Sequence, residues 1–195
     1  LGQVYYNSTA NAFKVTKTIF GTGTWASGGN LNTGRNYLPD FAFATQTAGF
    51  AVGGNISPKQ QAEQYNGSSW TEVADLSSTL YGRAGFGTNA SAVVAGGNGP
   101  PTSANSETWD NSSWTEGNNL NTARRDAAGA GITTAGLVMA GGNHPTYPTV
   151  VESYNGTSYT ESTDVNTGRA ELGGGGTSTS ALVFGGANGS NPTLA

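Results

Sequence analysis

By residue type, the side chains best suited to chemistry are Arg35, Arg124 and Arg169, together with Glu63, Glu107 and Glu152. Three guanidinium groups are what a sialidase-type site uses, beside a Tyr–Glu nucleophile pair. Paired carboxylates do general acid and base work when their surroundings push their pKa values apart. Here each trio occupies one position of a recurring pattern. Glu72, Glu116 and Glu161 form another such set, and Asp75 with Asp164 a third. A residue that recurs once per repeat reads as scaffold, so the arginines are expected to brace neighbouring units by hydrogen bonds. Asp40, Asp110, Asp126 and Glu171 stand outside that beat, and the sequence brings no two of them together. His144, in "GGNHPTYP", has no His, Cys or D-x-D companion and reads as an exposed loop residue. "GGGG" at 173–176 is followed by neither Gly-Lys-Ser/Thr nor a helix, which excludes a phosphate loop. No metal or cofactor is implied, and the expectation is a protein that is not an enzyme.

Composition narrows the class. Charged residues make up 10% of the chain, against about 25% in ordinary domains. Gly supplies 31 of 195 residues, yet four Trp, eight Tyr and seven Phe are spread along the sequence. Disordered segments are poor in aromatics, so a turn-rich all-β protein is expected. A net charge of −4 with only eight Lys and Arg excludes a phosphate-neutralising face, and with it nucleic acid. No apolar run approaches the roughly 18–20 residues of a membrane span. The absence of Cys removes disulfides, thiolate metal sites and Cys nucleophiles. Leu1 is not an initiator Met and no signal-peptide pattern follows it, so the chain reads as a processed product or part of a longer protein.

The elements that must position these residues recur about every 44 residues. Diglycines close apolar runs at Gly53-Gly54, Gly96-Gly97, Gly141-Gly142 and Gly185-Gly186. Trp25, Trp70, Trp114 and Tyr159 keep the same beat, and Leu31, Leu76, Leu120 and Val165 follow six residues after each. Four further on stand Arg35, Arg124 and Arg169, while the second copy has Leu80 there and Arg83 three later. Tyr65, Trp109 and Tyr154 each precede the next aromatic by five. "FAVGG", "AVVAGG", "LVMAGG" and "LVFGG" read as strands buried on both faces. "QYNGSSWTE" reads as a hairpin turned by Asn-Gly, residues that accept φ > 0. About four short strands per repeat, without helical periodicity, make a β-propeller blade. The diglycines are expected where inner strands crowd the propeller axis.

Arg, an apolar run ending in Gly-Gly, Glu-x-Tyr and then Trp resembles the kelch repeat. The resemblance covers about residues 25–195, with Trp109 for Tyr, Tyr159 for Trp and the displaced Arg83 as departures. It implies a kelch-type β-propeller of about four blades, preceded by N-terminal strands in residues 1–24. Copper radical oxidases of this fold need Cys-linked Tyr and paired His, which this chain lacks. "GQVYYNSTANAFKV", leading into Asn- and Thr-rich copies, resembles repeat regions of bacteriophage tail-fibre and other virion proteins. That resemblance implies a virion or extracellular setting. Partners would then be other virion proteins or a glycan or protein of the host surface, and a homo-oligomer is compatible. The alternatives are an interaction module of a cellular kelch protein and, less favoured, a propeller glycosidase or lyase.

The last copy stops at "ANGSNPTLA", without its "ESYNGTSYTE" half. Residues 3–29 could complete it, with Tyr6-Asn7 standing where Tyr154-Asn155 stands. The matching phase of the two ends favours such closure and four blades favours truncation, since the usual range is about 4–8. Closure is the preferred reading. The segments after the diglycines, "NISPKQQA", "NGPPTSAN", "NHPTYPTV" and "ANGSNPTLA", share almost nothing while their flanks keep phase. Such variable loops gather on one face and are where repeat proteins recognise partners. Lys59, Gln60, Pro100, Pro101, His144, Tyr147, Asn188 and Asn191 are therefore the candidate binding residues, against the alternative of plain solvated connectors.

Overall fold

The computed structural model of the protein describes residues 4–7, 12–15, 27–41, 44–142 and 145–189. Trp25, His144 and Asn191 lie outside the described residues. The described chain is all-β and antiparallel, and none of it forms a helix long and apolar enough to cross a membrane. β1 (Val4–Asn7) and β2 (Ala12–Val15) make a hairpin of their own, with Tyr6 opposite Phe13. Unit 1 has β3 (Gly49–Val52), β4 (Ala62–Tyr65) and β5 (Trp70–Val73) in sequential order. Unit 2 is a four-stranded sheet of β6 (Ala84–Thr88), β7 (Ser91–Ala95), β8 (Ser106–Trp109) and β9 (Trp114–Glu116). Unit 3 repeats it with β10 (Ala128–Ile132), β11 (Ala135–Met139), β12 (Val151–Tyr154) and β13 (Tyr159–Glu161). Among the described residues unit 4 has two strands, β14 (Gly173–Thr177) and β15 (Ser180–Phe184).

The apolar runs of β3, β7 and β11 bury both faces, as their sequences require. Val94 of β7 joins Phe41, Phe50, Val52 and Trp109 toward unit 1. Its neighbours Val93 and Ala95 join Val138, Tyr154 and Tyr159 toward unit 3. Leu137 and Met139 in turn meet Leu172 and Val183 of unit 4. The core is therefore a series of layers between successive sheets, and each large side chain buried there contributes about 1.5–3 kcal/mol. Leu182 and Phe184, the counterparts of Leu137 and Met139, remain 66% and 55% exposed.

The third and fourth strands meet in the hairpins that the sequence marks most strongly. Tyr65 pairs Trp70, Trp109 pairs Trp114 and Tyr154 pairs Tyr159, with ring centroids 5.0, 5.3 and 4.7 Å apart. The turn works differently from a two-residue Asn-Gly turn. Four residues intervene, and the first uses its side chain: Asn66 Oδ1 accepts N–H from Ser68 and Ser69, both at 3.0 Å. Asp110 and Asn155 do the same. The second residue, Gly67, Asn111 or Gly156, carries the positive φ.

The diglycines end the second strands and are crowded by neighbouring backbone, a Cβ at Gly96 running into the Arg124 carbonyl, and first-strand glycines are crowded as well. At Gly129 of β10 a Cβ would run into the Gly85 backbone of β6. The diglycine is needed for its conformation, with φ of 70° at Gly96 and 127° at Gly97. In unit 3 the register shifts by one residue. Ala140, at φ 53°, takes the first place, its N–H bonding Val150 as Gly53 bonds Gln61 and Gly96 bonds Asn105.

Candidate functional site

The three buried arginines are structural. Arg124 Nη2 donates to Glu152 Oε1 at 2.6 Å and Nη1 to the Val150 carbonyl at 2.7 Å. Arg35 pairs with Glu63 in the same manner. Unit 2, where Leu80 replaces the expected arginine, recovers the pair from Arg83, whose Nη1 donates to Glu107 Oε1 at 2.7 Å. Each arginine lies on the segment entering a unit and each glutamate on that unit's third strand. The pairs thus brace within units rather than between neighbours, correcting the expectation. Glu152 further accepts N–H from Asn121 and Thr122, at 2.7 and 3.2 Å, so it holds the entering segment. Burial pulls the Arg83 and Arg124 guanidinium groups down from their ordinary values, against the pull of Glu107 and Glu152. Burial would raise the Glu107 carboxyl, but Arg83 and the hydrogen bonds from Ser78 and Ser77 hold it below the usual range.

Two residues after each arginine position lies a second set. Tyr37, Gly82, Asp126 and Glu171 share a left-handed backbone, with φ of 55°, 61°, 53° and 56°. The N–H groups of the last three bond the equivalent carbonyl one unit earlier: Gly82 to Tyr37 at 3.2 Å, Asp126 to Gly82 at 2.7 Å, Glu171 to Asp126 at 2.9 Å. This chain of bonds borders a depression of about 430 Å³ to which all four units contribute. Its charged lining is Asp40, Asp126, Glu171 and Arg83, the last already taken up by Glu107. Three of the four carboxylates that the sequence left unconnected therefore share one depression. Asp126 and Glu171 were in phase after all, each two residues beyond an arginine, which was the signal that could have found them. Burial pushes Asp126 up to about 6, with Glu171 adding and Arg125, 3.5 Å away, opposing. Burial alone raises Asp40. Among the described residues no three acidic or His side chains could hold a metal ion.

Of the variable segments, the first reaches the rim of this depression through two tyrosines. Lys59 Nζ lies 4.7 Å from the ring centroid of Tyr81. Tyr81 meets Tyr37 edge-on at 5.8 Å, and its hydroxyl accepts a hydrogen bond from Asn98. Neither tyrosine was legible as a site residue, since each stands at a position that varies between copies. Pro100 and Pro101 are exposed and line a cleft of about 370 Å³ with Thr79, Leu80 and Ala104. Gln60 acts through its backbone, its carbonyl accepting the Leu76 N–H at 2.9 Å. The Tyr147 ring lies against Gly189, so the third and fourth segments meet beside half-buried Asn188. The structure thus brings Lys59 to unit 2 and Tyr147 to unit 4, and keeps those two residues in separate neighbourhoods. A search of protein-family models finds no match to this chain, and a search of curated proteins finds none.

Proposed function

We propose that this chain is a kelch-type β-propeller acting as a non-enzymatic binding module on the surface of a bacteriophage virion, as a tail fibre, spike or decoration protein. The blades are the repeated units, and the propeller axis runs through the depression that they share. One observation carries the binding reading: the unrepeated residues Lys59, Tyr81 and Tyr37 form a continuous aromatic-cationic surface beside the carboxylate-lined depression. An exposed ring next to carboxylate acceptors suits a hydroxyl-rich ligand, such as a host-surface glycan. The virion setting rests on the likeness of the N-terminal stretch and of the Asn- and Thr-rich copies to phage proteins. The test is binding of the purified chain to bacterial surface polysaccharide. Lys59→Ala with Tyr37→Ala should weaken it at least about tenfold at unchanged melting temperature. Undiminished binding by that variant overturns the placement.

A second reading, glycoside hydrolysis, is favoured by the raised Asp126 in a carboxylate-lined depression, the environment of a general acid. Release of reducing ends from polysaccharide, lost in Asp126→Asn, would put it first.

A further inference from the structure

The open side of unit 4 is shaped for a particular strand. In units 1 to 3 the second strand pairs with the third in one register. Ala51, Val94 and Val138 stand opposite Glu63, Glu107 and Glu152. Two residues away, Gly49, Ala92 and Gly136 stand opposite Tyr65, Trp109 and Tyr154, a small residue each time beneath a ring. β15 keeps both halves of this pattern, with Val183 at the glutamate-facing position and Ala181 at the ring-facing one. Its outer edge has no partner strand among the described residues. Arg169 occupies the place of Arg35 and Arg124. It donates Nη1 to the Gly185 carbonyl at 2.7 Å, as Arg35 donates to Gly53 at 3.4 Å. The other three arginines of this series each reach a glutamate, whereas Arg169 makes no ion pair among the described residues.

We propose that the β15 edge, Ser180–Phe184, receives an added antiparallel strand carrying Glu two residues before a Tyr or Trp. The glutamate sits opposite Val183 and pairs with Arg169, and the ring lies over Ala181. The backbone ladder supplies affinity and the two side chains supply register. Residues 1–29 contain two Lys and no Asp or Glu, so the N-terminal stretch lacks a carboxylate of the kind that pairs with Arg35, Arg83 and Arg124. Glu63, Glu107 and Glu152 are consumed inside their own units. The occupant is therefore a hairpin of the repeat's own kind that residues 1–195 do not contain.

A peptide with the sequence of residues 149–162, "TVVESYNGTSYTES", already has that chemistry. Titrated into the whole 195-residue chain, it should bind saturably at one site by fluorescence anisotropy. Glu152→Gln in the peptide, or Arg169→Gln in the chain, should weaken binding at least about tenfold, and the two together no further. Ala181→Phe, which fills the ring's place, should weaken it independently of the ion pair. Absence of saturable binding overturns the proposal, the edge then being closed by the N-terminal residues or a second copy. Indifference to the glutamate overturns it equally.

Discussion

At the residue scale, the same arginine position has two fates. Arg124 is 1% exposed and ends on Glu152, while Arg169 is half-buried and touches one carbonyl. Arg124→Met leaves a buried carboxylate unpaired and should cost about 3–5 kcal/mol in urea unfolding. Arg169→Met should cost no more than about 0.5 kcal/mol. The two kinds of carboxylate also respond to pH in opposite senses. Glu107 is held below its unfolded value, so its contribution is present above about pH 4.3 and is lost as pH falls through its folded value. Asp126 is raised to about 6, so its destabilising effect builds as pH rises from about 3.9 and is complete above about 6. Asp126→Asn should therefore stabilise the protein at pH 7.5 by about 1 kcal/mol, allowing for solvent screening. At pH 4 and below the gain should vanish, which thermal melts at the two pH values would check.

At the element scale, Gly97→Val is expected to lose more than about 2 kcal/mol or to prevent folding. A Cβ there meets Arg83 Cγ at 2.9 Å and Leu80 Cβ at 3.0 Å, at a φ of 127°. An unchanged melting temperature would remove the diglycine from the frame. The strands and hairpins were legible because their signals are local: an apolar run, a turn residue, aromatics five apart. The register of the third diglycine was not, because Ala140 accepts a left-handed backbone that composition assigns to Gly. The displacement of Arg83 was legible as a departure, but its rescue of Glu107 depends on side-chain reach across the sheet. The depression was hidden for a further reason. Asp40, Asp126 and Glu171 meet only once separate units lie side by side, and no spacing within one copy announces that.

At the scale of the molecule, successive sheets bury their second strands between neighbours, and a chain of N–H to carbonyl bonds links Tyr37 through Glu171. Order is then expected to follow completeness of the units. Units 2 and 3 have four strands each and bury Val94 and Val138 fully, whereas unit 4 has two among the described residues and exposes Leu182 and Phe184. Local opening should accordingly be cheapest in unit 4. The repeated frame is locked in its middle units and, among the described residues, open at its fourth. Native-state hydrogen exchange of the 195-residue chain tests it most directly. Slow exchange is expected for the β11 amides, Ala135–Met139, and fast exchange for the equivalent β15 amides, Ser180–Phe184. Equal protection of the two strands would contradict it.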